Sequence, residues 1–171
     1  MKQMHKKLGR LFSVAIAVLL IGTALPLETA FAEETGTTDG NTFEDGVLTY
    51  QITGSSSAIV KDCDDSATFV SIMPKIDGYD VVGIGEEAFA NCNRLQSIAI
   101  PVTVSEIGSA AFYDCSSLTK LELPDAVTQI ESGTFFGCTA LESVKLGNKV
   151  TSIGDMAFGY CTAVSYTHLR A

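Results

Sequence analysis

The chain is 171 residues long, with 46% apolar residues and a net charge of −9 from 11 Lys and Arg against 20 Asp and Glu. Beyond residue 32 the balance sharpens to 7 basic against 19 acidic side chains, a net charge of −12 on one domain's worth of chain. Such a surface repels phosphate backbones, which demand Lys and Arg, so nucleic acid is not an expected partner; a basic protein surface or a cation-bridged contact fits better.

Residues 1–32 read as a secretory signal peptide cleaved after Ala32, and they place the protein at the cell surface or outside the cell. Lys2, Lys6, Lys7 and Arg10 form the basic start, Leu11 to Leu25 the apolar stretch, and Ala30-Phe31-Ala32 the cleavage site. An uncleaved membrane anchor fits less well, because Thr23 and Pro26 break a run already short against the roughly 20 residues of a span. No Cys follows the apolar run until Cys63, which argues against a lipid-modified terminus.

Residues 33–46 (EETGTTDGNTFEDG) are polar, acidic and rich in Gly and Thr. They bury too little apolar surface to offset their ordering entropy and read as a disordered acidic leader. Residues 47–80 read as a β-rich N-terminal cap that covers the apolar end of the repeats behind it. Val47 to Ile52 alternates, with Leu48, Tyr50 and Ile52 on one side; Ala58 to Val60 is a second strand, and Thr68 to Met73 a third that stops at Pro74. Turns are expected over 54–57 and 61–66 and at Asp77-Gly78.

From Val81 onward one 23-residue phrase is written four times, over 81–103, 104–126, 127–149 and an incomplete 150–171. Phe89, Phe112, Phe135 and Phe158 recur at that period, and Cys92, Cys115, Cys138 and Cys161 follow three residues behind. Leu95, Leu118, Leu141 and Val164 extend the pattern, while Val104/Ile107, Val127/Ile130 and Val150/Ile153 form an earlier apolar pair. A fixed period of 23 signals a solenoid and lies in the leucine-rich-repeat range. In Leu118 to Leu123, Leu121 and Leu123 share one strand face while Lys120 and Glu122 point the other way. Stacked coils would pair these strands in parallel, with Pro101 and Pro124 stopping them. Gly85, Gly108 and Gly154 are expected where positive φ or a close approach is needed. Ala88-Phe89 and its equivalents are expected on a short helical turn that drops the ring into the core. The fold expected is a solenoid of right-handed coils, with one parallel strand and one short helical turn per repeat.

The phrases IGSAAFYDCSSLTKLELP (Ile107 to Pro124) and IGDMAFGYCTAV (Ile153 to Val164) resemble the BspA-like leucine-rich repeat of bacterial surface proteins. IMPKIDGYDVVGIGEEAFANC (Ile72 to Cys92) resembles that family's lead-in segment. The resemblance spans about Val47 to Val164, and Glu131 for Gly, Thr134 for Ala and Gly147 for Pro depart from it at turns. It implies a curved solenoid displayed on or secreted from a bacterial cell, adhesion to host or neighbouring-cell proteins, and no catalytic residue. Ser165 to Ala171 keep the pattern only at Leu169, so this tail reads as truncated or non-native, leaving an apolar edge that predicts poor solubility.

Chemistry finds little support. His5 leaves with the signal peptide and His168 lies in the tail, which removes Ser-His and Cys-His pairs and His-based metal sites. Asp62, Asp64 and Asp65 lack the spacing of a calcium loop, Glu86-Glu87 has no cleft, and Gly83-Ile84-Gly85 lacks the rest of a dinucleotide fingerprint. No metal, cofactor or enzymatic activity is expected. In-register Cys side chains point in parallel about 4.8 Å apart, too far at Cβ for the usual disulfide, so the column reads as buried free thiols. Cys63 stands outside the ladder, free or buried in the cap. Function then falls to the surface. The outward residues of the main sheet, Ser97, Ala99, Lys120, Glu122, Ser143 and Lys145, are the expected contact with an extracellular or host-cell protein. The alternatives are a spacer within a larger surface protein or extracellular enzyme, and a carbohydrate-binding module. The last is disfavoured because the sheet face shows no aromatic residue in the sequence.

Overall fold

The computed structural model describes residues 36–37 and 41–164. The expected signal peptide, much of the expected leader and the tail from Ser165 lie outside the described residues.

Four strands open the described residues: β1 (Gly36–Thr37), β2 (Thr42–Glu44), β3 (Leu48–Ile52) and β4 (Ser57–Cys63), each antiparallel to the next. Residues 42–44 therefore correct the reading of 33–46 as a disordered leader. Phe43 is buried, its ring lies 5.9 Å from that of Tyr79, and pairing with β3 supplies the backbone hydrogen bonds. One buried ring and a paired edge order a segment whose composition is otherwise that of a loose tail. The strand expected at 58–60 extends to Cys63, so the turn starts only at Asp64, whose carboxylate accepts the Ser66 N–H at 2.8 Å.

Next come β5 (Phe69–Ser71), β6 (Lys75–Ile76) and β7 (Tyr79–Ile84). The β6–β7 hairpin turns at Asp77 and Gly78, both at positive φ (44° and 86°), as the twist of a two-residue hairpin requires. β7 also pairs in parallel with β4, and the Gly85 N–H donates to the Val60 carbonyl at 2.7 Å.

Each coil then contributes two short strands. On one side β8 (Ser97–Ala99), β10 (Lys120–Glu122) and β12 (Ser143–Lys145) join β5 in a four-stranded parallel sheet, ordered β5-β8-β10-β12. On another side lie β9 (Glu106–Ile107), β11 (Gln129–Ile130) and β13 (Ser152–Ile153), where β9 pairs β7 and β11 pairs β13, also in parallel.

The Ala-Phe segments are not helical. Alternate N–H groups have two different destinations. Those of Ala88, Ala90 and Cys92 close tight turns onto Gly85, Glu87 and Phe89, whereas those of Glu87, Phe89 and Asn91 cross to Ser109, Ala111 and Tyr113 of the next coil. A helix would keep all its donors to itself. Here half of them tie one coil to the next. The alternation requires left-handed backbone at 87, 110, 133 and 156 and again at 91, 114, 137 and 160, and only Gly133 and Gly137 are glycines there. Gly108 and Gly154 instead serve close approach: a Cβ at Gly108 would lie 2.5 Å from the Glu86 nitrogen, and one at Gly154 2.6 Å from that of Ser132.

The core is a pile of layers. Phe89, Phe112, Phe135 and Phe158 form one column with ring centroids 5.0, 5.4 and 5.2 Å apart and planes within 17°. Leu95, Leu118 and Leu141 are fully buried beneath them. Hydroxyls lock the register from outside: Thr119, Thr139 and Thr151 each donate to the carbonyl 23 residues back. The departure Thr134 is completely buried and is satisfied by donating to the Glu131 carbonyl at 2.7 Å.

Candidate binding face

The four-stranded sheet alternates strictly. The middle residues Val70, Ile98 and Leu121 are buried, while the flanking ones of β5, β8, β10 and β12 are exposed. The register brings Ser97, Lys120 and Ser143 into one outward column, with Phe69 at its head. A second column holds Ser71, Ala99, Glu122 and Lys145, with Ser71 beside Ala99 and Glu122 beside Lys145. The six residues named from the sequence thus share one surface. Lys145 Nζ lies 3.4 Å from a Glu122 carboxylate oxygen, both well exposed. Lys120 has no ion pair among the described residues.

Two members were missed. Phe69 and Ser71 enter this sheet through β5, which the sequence assigned to the cap, and Phe69 is 68% exposed. The reading of an aromatic-free sheet face is corrected accordingly. The signal was hidden because Ser71 pairs with Ala99 at a spacing that does not match the repeat period.

The thiols take no part in this face. None of the five cysteines forms a disulfide, and all are buried. Cys115, Cys138 and Cys161 donate to the carbonyls of Phe89, Phe112 and Phe135 at 3.1, 3.2 and 3.0 Å, each 26 residues back. Burial pushes the Cys115 thiol well above its ordinary range. Cys63 lies against Cys92, and the hydrogen bond between the two thiols, with burial added, pushes it up as well. Buried thiols held protonated, as Cys63 and Cys115 are, make poor nucleophiles and poor metal ligands. Among the described residues no group of three or more His, Cys, Asp or Glu could hold a metal ion.

A second aromatic row runs along the turns. Tyr113 stacks on Phe136 at 5.0 Å and 4°, and Tyr160 tilts against Phe136 at 5.0 Å and 60°. Tyr113 and Phe136 cover one face of each other, while Tyr160 at the end of the row is 68% exposed.

This arrangement, one short parallel strand per 23-residue coil over a stacked apolar core, defines a leucine-rich-repeat β-solenoid of about four turns. The model of the BspA type leucine rich repeat region matches residues 73–170 in six copies, and the chain belongs to that family. Among solved structures, a leucine-rich repeat protein from Bacteroides ovatus is similar at 38% identity and a TM-score of 0.65, over 70% of this chain and 33% of its own. A leucine-rich repeat protein from Eubacterium ventriosum shares the fold at 19% identity and a TM-score of 0.63, over 76% of this chain and 33% of its own. The chain therefore spans about a third of the length of either protein. No curated protein matches it. Among the described residues no helix is long and apolar enough to cross a membrane.

Proposed function

We propose that this is a non-enzymatic protein-binding module, secreted or displayed at the bacterial surface after cleavage of residues 1–32, and that it mediates adhesion through the outward face of β5, β8, β10 and β12. The observation that carries the reading is the alignment of Ser97, Lys120 and Ser143, with Ala99, Glu122 and Lys145 beside them, on a continuous exposed sheet. Sheet faces of solenoids are broad, rigid and already ordered, so binding there loses little conformational entropy. The N-terminal sheet, which meets the first coil along β4 and β7, serves as its cap.

The test is a triple charge reversal, Lys120→Glu, Glu122→Lys and Lys145→Glu, read as adhesion of chain-coated beads to cultured epithelial cells. Adhesion is expected to fall while thermal melting stays unchanged. Undiminished adhesion by a normally folded variant overturns the assignment. A second reading, a spacer in a longer surface protein or extracellular enzyme, draws support from the similar solved proteins, of which the chain covers only a third.

A further inference from the structure

The sheet face ends at β5 in a recess of about 250 Å³ lined by Asp45, Val47, Phe69, Ser71 and Met73 among others. Three of its walls are large apolar side chains left in water: Phe69 is 68% exposed, Met73 51% and Val47 42%. Drug-sized ligands occupy pockets of roughly 300–1,000 Å³, so this one suits a single side chain rather than a free small molecule. Exposed apolar walls around such a recess are where interface hot spots form.

The charges around it are asymmetric. At the recess the Asp45 carboxylate is fixed by the Val47 and Leu48 N–H groups, at 2.9 and 2.7 Å, and by the Tyr50 hydroxyl at 3.0 Å. Two strands away, in the same outward column as Phe69, stands Lys120. With strands about 4.8 Å apart, the separation is about 10 Å. The ground between is low, being Ser71, Ser97 and Ala99, so a partner's backbone can approach closely. Glu122 and Lys145 largely neutralise each other, which leaves Lys120 as the attractive charge on this part of the face.

We propose that this recess anchors the protein partner of the sheet face: an apolar side chain, aromatic or long aliphatic, seats against Phe69 and Met73, and a carboxylate of the same partner, about 10 Å away, meets Lys120. Asp45 repels an anion at the recess, so the partner binds in one direction only. The inference rests on the sheet-face reading and adds to it the anchor and the chemistry of the ligand.

A displayed library of random twelve-residue peptides, selected against the chain, tests it. Enriched peptides are expected to pair an apolar residue with an Asp or Glu, and to bind the Phe69→Ala variant roughly tenfold or more weakly. Exchanging the peptide's acid for Lys is expected to abolish binding to the native chain and to restore it on Lys120→Glu. Peptides that ignore Phe69→Ala yet are lost on reversal of Lys120, Glu122 and Lys145 overturn the anchor and leave the sheet-face reading standing. Peptides indifferent to both sets of substitutions overturn both.

Discussion

Replacing Phe112 by alanine removes the ring at the middle of the column. That ring is fully buried, with Phe89 centred 5.0 Å away on one side and Phe135 5.4 Å away on the other. Core Phe→Ala changes cost about 3–5 kcal/mol, and a site between two stacked rings, unable to collapse from either side, belongs near the top of that range. Phe158 is only partly buried and stacks on Phe135 alone among the described aromatic pairs, at 5.2 Å. Its truncation should cost roughly half as much, about 2 kcal/mol. Domain stabilities are about 5–15 kcal/mol, so the first change removes a large share and the second a tolerable one. Urea unfolding monitored by circular dichroism measures both. With a slope near 2 kcal/mol/M, Phe112→Ala should lower the midpoint by about 2 M and Phe158→Ala by about 1 M. Equal shifts, or a loss below about 1 kcal/mol at Phe112, would refute the reasoning, because they would mean that the coils do not support one another ring by ring.

Other consequences follow from the backbone and the thiols. Gly108→Ala places a Cβ against the backbone of Gly85 and Glu86, with no flexible side chain to yield, and should destabilise by about 1–3 kcal/mol; a melting temperature equal to the parent's would contradict the close approach. The Cys115 thiol, whose folded pKa is raised by burial, favours the folded state fully below its unfolded value near 9. Above that pH the unfolded chain ionises and the folded chain does not, so stability should fall as pH rises, by about 1.4 kcal/mol per pH unit for this thiol. Cys115→Ala should flatten the decline by that slope, and an unchanged pH profile would show that the thiol is not protected.

The coils were legible because a solenoid repeats its chemistry along with its geometry: each Phe, Cys and Leu faces its own equivalents, so the same selection acts at every turn. Legibility stopped where the geometry is not periodic. β5 joins the main sheet out of step with the repeat, Ser71 lying beside Ala99, so no search at the repeat period would bring Phe69 onto the binding face. Thr42 to Glu44 was lost in an acidic stretch because its burial rests on one apolar side chain, Phe43, with the small polar Thr42 beside it. The turns were misjudged for a different reason. Glu87 and Ala110 adopt left-handed backbone without being Gly or Asn, because hydrogen bonds to the adjoining coil hold them there, and residue type alone gives no sign of it. Tyr160 joins Tyr113 and Phe136 from one position later in its repeat, which hid the second aromatic row.

Excision of 127–149, one whole period, tests the stacked geometry most directly. Joining Ala126 to Val150 should let Phe112 meet Phe158, keep every side chain on its proper face, and leave a chain that still melts cooperatively at lower stability. Excising 128–149 instead, one position short of a period, puts β13 and the Ala157, Phe158 and Cys161 that follow it one place out of step with the coil beneath, so that chain should not melt as one folded unit. Two excised chains that behave alike, both folded or both unfolded, would contradict a core built of interchangeable layers.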